Sequence, residues 1–224
     1  MICVVGVTGS MGCGKSSVTR LLGEMGALTL DADQLAREIL APGTPGLQAV
    51  VSRFGGALLT ETDPPRLNRS LLAETVFADP AARRDLEAIV HPGVYRSMGA
   101  TLARWERDQP AGAPLIAALE IPLLLETGAG SLCDLIVVVA CKERQWERLQ
   151  SRTGMSASIQ EKVMEQQLPE AEKCRLAHWV IDNSHDWAST VSQAERLWLD
   201  LRSRCLDGRS PRAWPTRWDI FSSQ

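Results

Sequence analysis

This 224-residue sequence has no strong charge of one sign: 24 Lys and Arg stand against 27 Asp and Glu, for a net charge of −3. Nothing therefore points to global attraction toward nucleic acid or an anionic membrane, and an anionic substrate has to be met by a local basic site. No uninterrupted apolar run approaches the ~20 residues that span a bilayer. The first residues lack a basic n-region and a cleavage site, so a signal peptide is not expected. Six cysteines (3, 13, 133, 141, 174 and 205) occur without a C-x-x-C pair or metal-like spacing. Free thiols in a reducing cytosol are the expectation. No internal repeat is present. What remains is ordinary for a globular chain, 45% hydrophobic and 23% charged, with room for one large domain or a core carrying smaller insertions.

The most informative stretch runs from Ile2 to Ser17. An apolar run at Ile2–Val5 reads as a buried strand, and Val18 to Leu22 has helical character. Between them, Gly9-Ser10-Met11-Gly12-Cys13-Gly14-Lys15-Ser16 satisfies G-x-x-x-x-G-K-S/T, the phosphate-binding P-loop, here in the strand-to-helix setting that pattern requires. Glycines let the backbone curl so that successive N–H groups face an anion, and the helix N-terminus adds partial positive charge. Gly9 to Ser17 is thus the expected ATP-phosphate site. Lys15 reaches the β- and γ-phosphates and the Ser16 hydroxyl holds Mg2+. Cys13 is either a tolerated small side chain or a thiol whose pKa the helix terminus lowers.

A second strand, Ala27–Leu30, ends in Asp31-Ala32-Asp33. Ligands of open α/β sheets bind beyond the carboxyl ends of strands, which places these carboxylates near the P-loop if the two strands are neighbours. A carboxylate there can take a proton from an attacking hydroxyl or hold a metal through water. Asp31-x-x-Gln34 also fits a capping box opening the helix Gln34–Leu40, and the residues alone do not decide between these readings. From Ala32 to Arg107 the pattern is helical (Leu47–Phe54, Leu67–Phe77, Pro80–Arg107), with His91-Pro92 interrupting the longest run. That insertion is the expected place for a second substrate. His91 is either a ligand contact or the partner of a carbonyl freed at the kink. Strands follow at Leu115–Ile121 and Leu135–Ala140, the latter a β-branched run suited to a parallel sheet buried on both faces. The helix after it, Cys141–Arg152, carries Arg144, Arg148 and Arg152 at spacing four. These form either a solvated stripe or an arginine face over nucleotide phosphates. A helix at Ser156–Gln167, a short strand at Trp179–Asn183 and a final helix at Trp187–Arg204 complete the pattern. Residues 207–224 read as a flexible tail.

Taken in order, several of these motifs resemble the dephospho-CoA kinase family over nearly the whole chain to about Arg204. They are the P-loop, Asp31-Ala-Asp33, Pro42-Gly43, Phe54-Gly55, Leu67-x-Arg69, Phe77 with Asp79-Pro80, and Ile89-Val90-His91-Pro92. Pro122-Leu-Leu-x-Glu126-Thr-Gly128, Arg148, Arg152, Gln167 and Val180-Ile-Asp-Asn183 continue the series. The resemblance implies an α/β P-loop NTPase: a parallel β-sheet flanked by helices, nucleoside-monophosphate-kinase-like, with a helical substrate-binding insertion and a helical lid. It divides a single kinase unit, 1–206, into a core (1–31, 113–143 and 177–206), a coenzyme-binding insertion (about 32–112) and a lid (about 144–176).

The implied reaction is transfer of the ATP γ-phosphate to the ribose 3′-hydroxyl of dephospho-CoA, the last step of coenzyme A synthesis, with Mg2+ accompanying ATP. Asp33 is then the base, Lys15 and one or more of Arg144, Arg148 and Arg152 act on the transferring phosphoryl group, and Asn183 joins the ATP site. Thr8, Arg69, His91 and Glu126 lie with Asp33 toward the acceptor. The expected partners are these small molecules alone, with no nucleic acid and no membrane, in a cytoplasmic monomer or weak homo-oligomer. Ser10, Asn68, Thr153 and His178 depart from the family's usual residues, and the Trp-containing tail has no counterpart in the pattern. A kinase of another nucleoside or sugar, or an ATP-sensing regulatory protein, are the alternative readings.

Overall fold

The computed structural model describes residues 2–110, 115–142, 144–145 and 157–206. Arg148, Arg152 and the tail 207–224 lie outside these residues. The strands are β1 (Ile2–Thr8), β2 (Leu28–Asp31), β3 (Leu115–Glu120), β4 (Leu135–Ala140) and β5 (Trp179–Asp182). The helices are α1 (Lys15–Glu24), α2 (Ala32–Ile39), α3 (Pro45–Phe54), α4 (Arg69–Ala78), α5 (Pro80–Asp108), α6 (Ala157–Glu165), α7 (Glu170–Leu176) and α8 (Trp187–Leu206). Among the described residues no helix is long and apolar enough to cross a membrane.

All five strands are parallel, in the order β2-β3-β1-β4-β5. Every residue of β1, β3 and β4 is buried, whereas the edge strands β2 and β5 are partly exposed. Their compositions follow from this: strands covered on both faces read as continuous Val/Ile/Leu/Ala runs rather than alternating ones. Val18 and Leu22 of α1 and Leu197 and Leu201 of α8 share one core with Val5, Val137 and Ile181. Burying side chains of this size contributes about 1.5–3 kcal/mol each.

The order resolves the condition left open by the sequence: β2 does not neighbour β1, because β3 is inserted between them, so the route from β2 to the P-loop runs through a β3 residue. β1 is also longer than its apolar run suggests, continuing to Thr8 at the mouth of the loop.

The chain divides into two compact units, one built on residues to Asp31 and from Thr101 onward, the other on Ala32–Ala100. In the helical unit, α3 starts at Pro45 because Thr44 caps it, its hydroxyl accepting the Leu47 N–H, and proline suits the first helical position. α4 starts only at Arg69. Asn68 is its cap, accepting from Leu71 N–H, while Leu67 is spent on an antiparallel bridge to Leu59. Pro92 does not interrupt the long helix: α5 runs unbroken from Pro80 to Asp108. One missing internal donor is tolerated in so long a rod. Gly93 beside it admits Ile39, whose Cδ1 would lie 2.9 Å from any added Cβ.

Candidate active site

The P-loop occupies the turn from β1 into α1. Gly14 stands at the helix N-cap with φ 88° and offers no side-chain cap, leaving the helix end to backbone donors and a ligand. Gly9, at φ 146°, packs its Cα so closely on the Val139 carbonyl of β4 that no Cβ fits. Lys15 is buried, its ammonium donating to the carbonyls of Gly9 (3.0 Å) and Ser10 (3.1 Å). The lysine therefore sits over the rim of the loop, where a phosphate would complete its shell.

Side chains from distant segments brace this loop. Met11 N–H donates to Gln167 Oε1 (3.0 Å), and Met11 carbonyl accepts from Gln145 Nε2 (2.9 Å). Asn183, buried at the end of β5, donates through Nδ2 to the Cys13 carbonyl (2.8 Å) and accepts from the Thr190 hydroxyl (2.8 Å). It positions the loop from below.

Cys13 is joined to Cys141 by a disulfide with a Cα–Cα separation of 5.0 Å, inside the range such a bridge spans. This overturns the expectation of free thiols at these two positions, and with it the reading of Cys13 as a titrating thiol. The two cysteines are 128 residues apart in sequence, and only the pairing of β1 with β4 brings them together.

Ser16 lies in the first turn of α1, and its hydroxyl donates to Glu120 Oε1 across 2.7 Å. Glu120 is buried at the carboxyl end of β3, where the register sets it opposite Asp31 of β2. Asp33 follows two residues later in the first turn of α2. A hydroxyl and a carboxylate at the mouth of a phosphate loop form a hard oxygen donor set, which suits Mg2+. Sequence reasoning named Ser16 and missed Glu120. The available signal was a charged residue closing an otherwise apolar strand.

The remaining expected residues fall in several places. Thr8 donates its hydroxyl to the Pro122 carbonyl (3.1 Å) and is fully buried. Glu126 accepts from Leu168 N–H (2.9 Å) and pairs with the wholly buried Lys173 at 2.8 Å, which ties it to α7 and the segment leading into it. Arg144 is exposed and donates to the His185 carbonyl (2.9 Å). His178, the departure from the family pattern, bridges β4 and β5: its Nδ1 accepts from Ile136 N–H, and its own N–H donates to the Ile136 carbonyl.

In the helical unit, burial foremost, with the nearby Arg37 guanidinium, lowers the pKa of Arg69 from its ordinary value. Two guanidinium groups near one another call for an anion. His91 sits in the middle of α5 with its ring 5.9 Å from that of Tyr95. Burial pushes its pKa down, against a smaller upward pull from Glu87, which keeps the imidazole neutral, a donor at one nitrogen and an acceptor at the other.

Comparison with known proteins points the same way. The family model for dephospho-CoA kinase matches residues 3–189. A dephospho-CoA kinase from Anaeromyxobacter dehalogenans is 40% identical over 216 residues, covering 96% of this chain and 99% of the relative. One from Geobacter metallireducens is 40% identical over 198 residues, covering 88% and 96%. A solved structure from Thermus thermophilus superposes with a TM-score of 0.70 at 33% identity, covering 88% of this chain and 96% of that one.

Proposed function

The chain belongs to the dephospho-CoA kinase family, and from that premise we propose that it transfers the γ-phosphate of ATP to the ribose 3′-hydroxyl of dephospho-CoA, giving coenzyme A and ADP. The observation that carries the residue assignment is the cluster Lys15, Ser16 and Glu120 at the P-loop, with Asp33 two residues past the strand position opposite Glu120.

Loop amides from Gly9 to Ser17 cradle the ATP phosphates, and Lys15 neutralises the charge that spreads over the transferring group. Ser16 and Glu120 would hold Mg2+. There it would supply positive charge to offset that of the phosphates. Asp33 accepts the proton of the attacking hydroxyl, as a general base must from hydrogen-bond distance. Arg37 and Arg69 suit the pyrophosphate of the acceptor, because guanidinium forks match phosphate oxygens; neutral His91 orients its polar groups. Arg144 stands where the resemblance puts a phosphate-facing arginine, with Arg148 and Arg152 outside the described residues. Asn183, Gln145 and Gln167 act through the loop they brace. The division into core, acceptor-binding helices and lid belongs to the same reading, as does a cytoplasmic monomer or weak homo-oligomer acting on small molecules, with no nucleic acid or membrane partner.

The test is ADP release from ATP and Mg2+, with and without dephospho-CoA, with the product identified by mass. Acceptor-dependent ADP and coenzyme A are expected. Asp33→Asn should keep ATP binding and lose turnover by about 10²-fold or more. Acceptor-independent ADP would retract the substrate assignment; near-normal turnover in the variant would remove Asp33 from the chemistry.

A further inference from the structure

The crosslink between Cys13 and Cys141 lies outside everything the proposed reaction requires. Cys13 is in the middle of the P-loop and Cys141 is the first residue beyond β4. Both are fully buried, so a small co-reactant reaches them only when the loop opens. Glu170, in the first turn of α7, brings Oε2 to 3.6 Å from Cys13 Sγ and accepts the N–H groups of Cys141 (2.7 Å) and Lys142 (3.1 Å, through Oε1). While the sulfurs are bonded to each other, only the Glu170 carboxylate of this group is left as a charged ligand. After reduction, the Cys13 S–H has the Glu170 carboxylate as its acceptor. One thiol of the reduced pair therefore already has its acceptor in place.

The disulfide also acts on the loop that binds ATP. In the crosslinked form three of the loop's donors are turned onto protein: Cys13 N–H to the Ser10 carbonyl (3.3 Å), Met11 N–H to Gln167, and the Lys15 ammonium to Gly9 and Ser10. Wrapping a phosphate redirects such donors, which requires the segment around Gly12 and Gly14, both at positive φ, to adjust. A covalent tie at Cys13, between those two glycines, opposes that adjustment.

We propose that Cys13 and Cys141 are a redox-modifiable pair, taking low-molecular-weight disulfides and thiols as co-reactants, whose oxidation weakens ATP binding at the P-loop. Formation is thiol–disulfide exchange. The S–H bonds of Cys13 and Cys141 break and one S–S bond forms between them. Two electrons pass to the S–S bond of a small disulfide such as glutathione disulfide, and its two sulfurs leave as thiols carrying both protons. The coupling to ATP rests on the reading of Gly9 to Ser17 as the nucleotide site; the crosslink itself does not.

Coupling between two equilibria is reciprocal, so bound ATP must favour the dithiol by the factor by which oxidation weakens ATP. The experiment equilibrates the full-length protein in a series of glutathione and glutathione disulfide mixtures, with and without ATP and Mg2+. Thiols are quenched by alkylation, and the Cys13–Cys141 peptide is quantified by mass. ATP binding to the fully reduced and fully oxidised protein is measured separately. A Cys13–Cys141 peptide is expected, with ATP shifting its equilibrium toward the dithiol by about fivefold or more. Cys141→Ser should bind ATP equally in both buffers.

Absence of the linked peptide overturns the site. An unmoved equilibrium in protein that binds ATP when reduced overturns the coupling. Failure of the reduced protein to bind ATP overturns the nucleotide-site reading and the coupling with it, leaving the crosslink to be judged by its peptide.

Discussion

The hydroxyl of Ser16 and the carboxylate of Glu120 meet at 2.7 Å, joining the first turn of α1 to the last residue of β3. On the proposed reading Ser16 holds Mg2+ by its oxygen, and the negative charge of Glu120 favours the ion there. Glu120→Gln keeps the shape and removes the charge. It is expected to raise the Mg2+ concentration for half-maximal ADP release by about 10- to 100-fold. An unchanged Mg2+ titration would separate Glu120 from the ion.

Lys173 has no exposed surface, and its ammonium pairs with Glu126 at 2.8 Å. Removing one member of such a pair leaves the other charge buried alone. Lys173→Met should cost about 3–5 kcal/mol in urea unfolding, with much of that recovered in the double variant with Glu126→Gln. A single variant within about 0.5 kcal/mol of the parent would show that water reaches the carboxylate.

Gly9→Ala sets a methyl against the Val139 carbonyl at a φ of 146°. Stability should fall by about 1–3 kcal/mol, and ATP affinity should fall with it as the loop shifts. Gly128→Ala is the comparison: its φ is 71° with open space around the site, so about 1–2 kcal/mol of stability is expected to go with ATP affinity unchanged. Equal ATP affinities in the two variants would contradict the close loop-to-β4 contact.

Asp182 gives a dependence on pH. Burial raises its pKa, but hydrogen bonds from Lys142 and Ser184 outweigh burial and hold the carboxyl at about 2, below its ordinary 3.8. The folded state thus favours the charged form. That contribution is complete above about pH 4, and it is lost as the pH falls through about 2. Lys142 is exposed, so solvent screens the pair and its contribution is small. Asp182→Asn should lower stability at pH 7 and converge on the parent near pH 2 in acid unfolding followed by circular dichroism. A gap that persists at low pH would refute this account.

Local features were the ones legible in sequence. The P-loop is a run of eight residues with its own backbone logic, and β4 is a β-branched run whose burial is written in its composition. Features joining distant segments were not legible. Glu120 is 104 residues from Ser16 and Cys141 is 128 from Cys13. Both pairings depend on strand order, which no local pattern encodes. The same gap left open whether β2 lies beside β1. Pro92 misled for another reason: the cost of one lost helix bond was read without the stabilisation from the rest of a 29-residue helix. Gln145 and Gln167 lie in polar stretches that carry no sign of a partner across the sheet.

The strand order also bears on how such a chain can diversify. β1 sits in the middle of the sheet, while β2, leading to Asp33, and β5, leading to Asn183, form its opposite margins. On the proposed reading, residues toward the acceptor and residues that steady the nucleotide loop therefore descend from separate edges. Insertions or drift along one margin leave the other's hydrogen bonds intact, making acceptor preference and nucleotide grip separately evolvable traits of one scaffold.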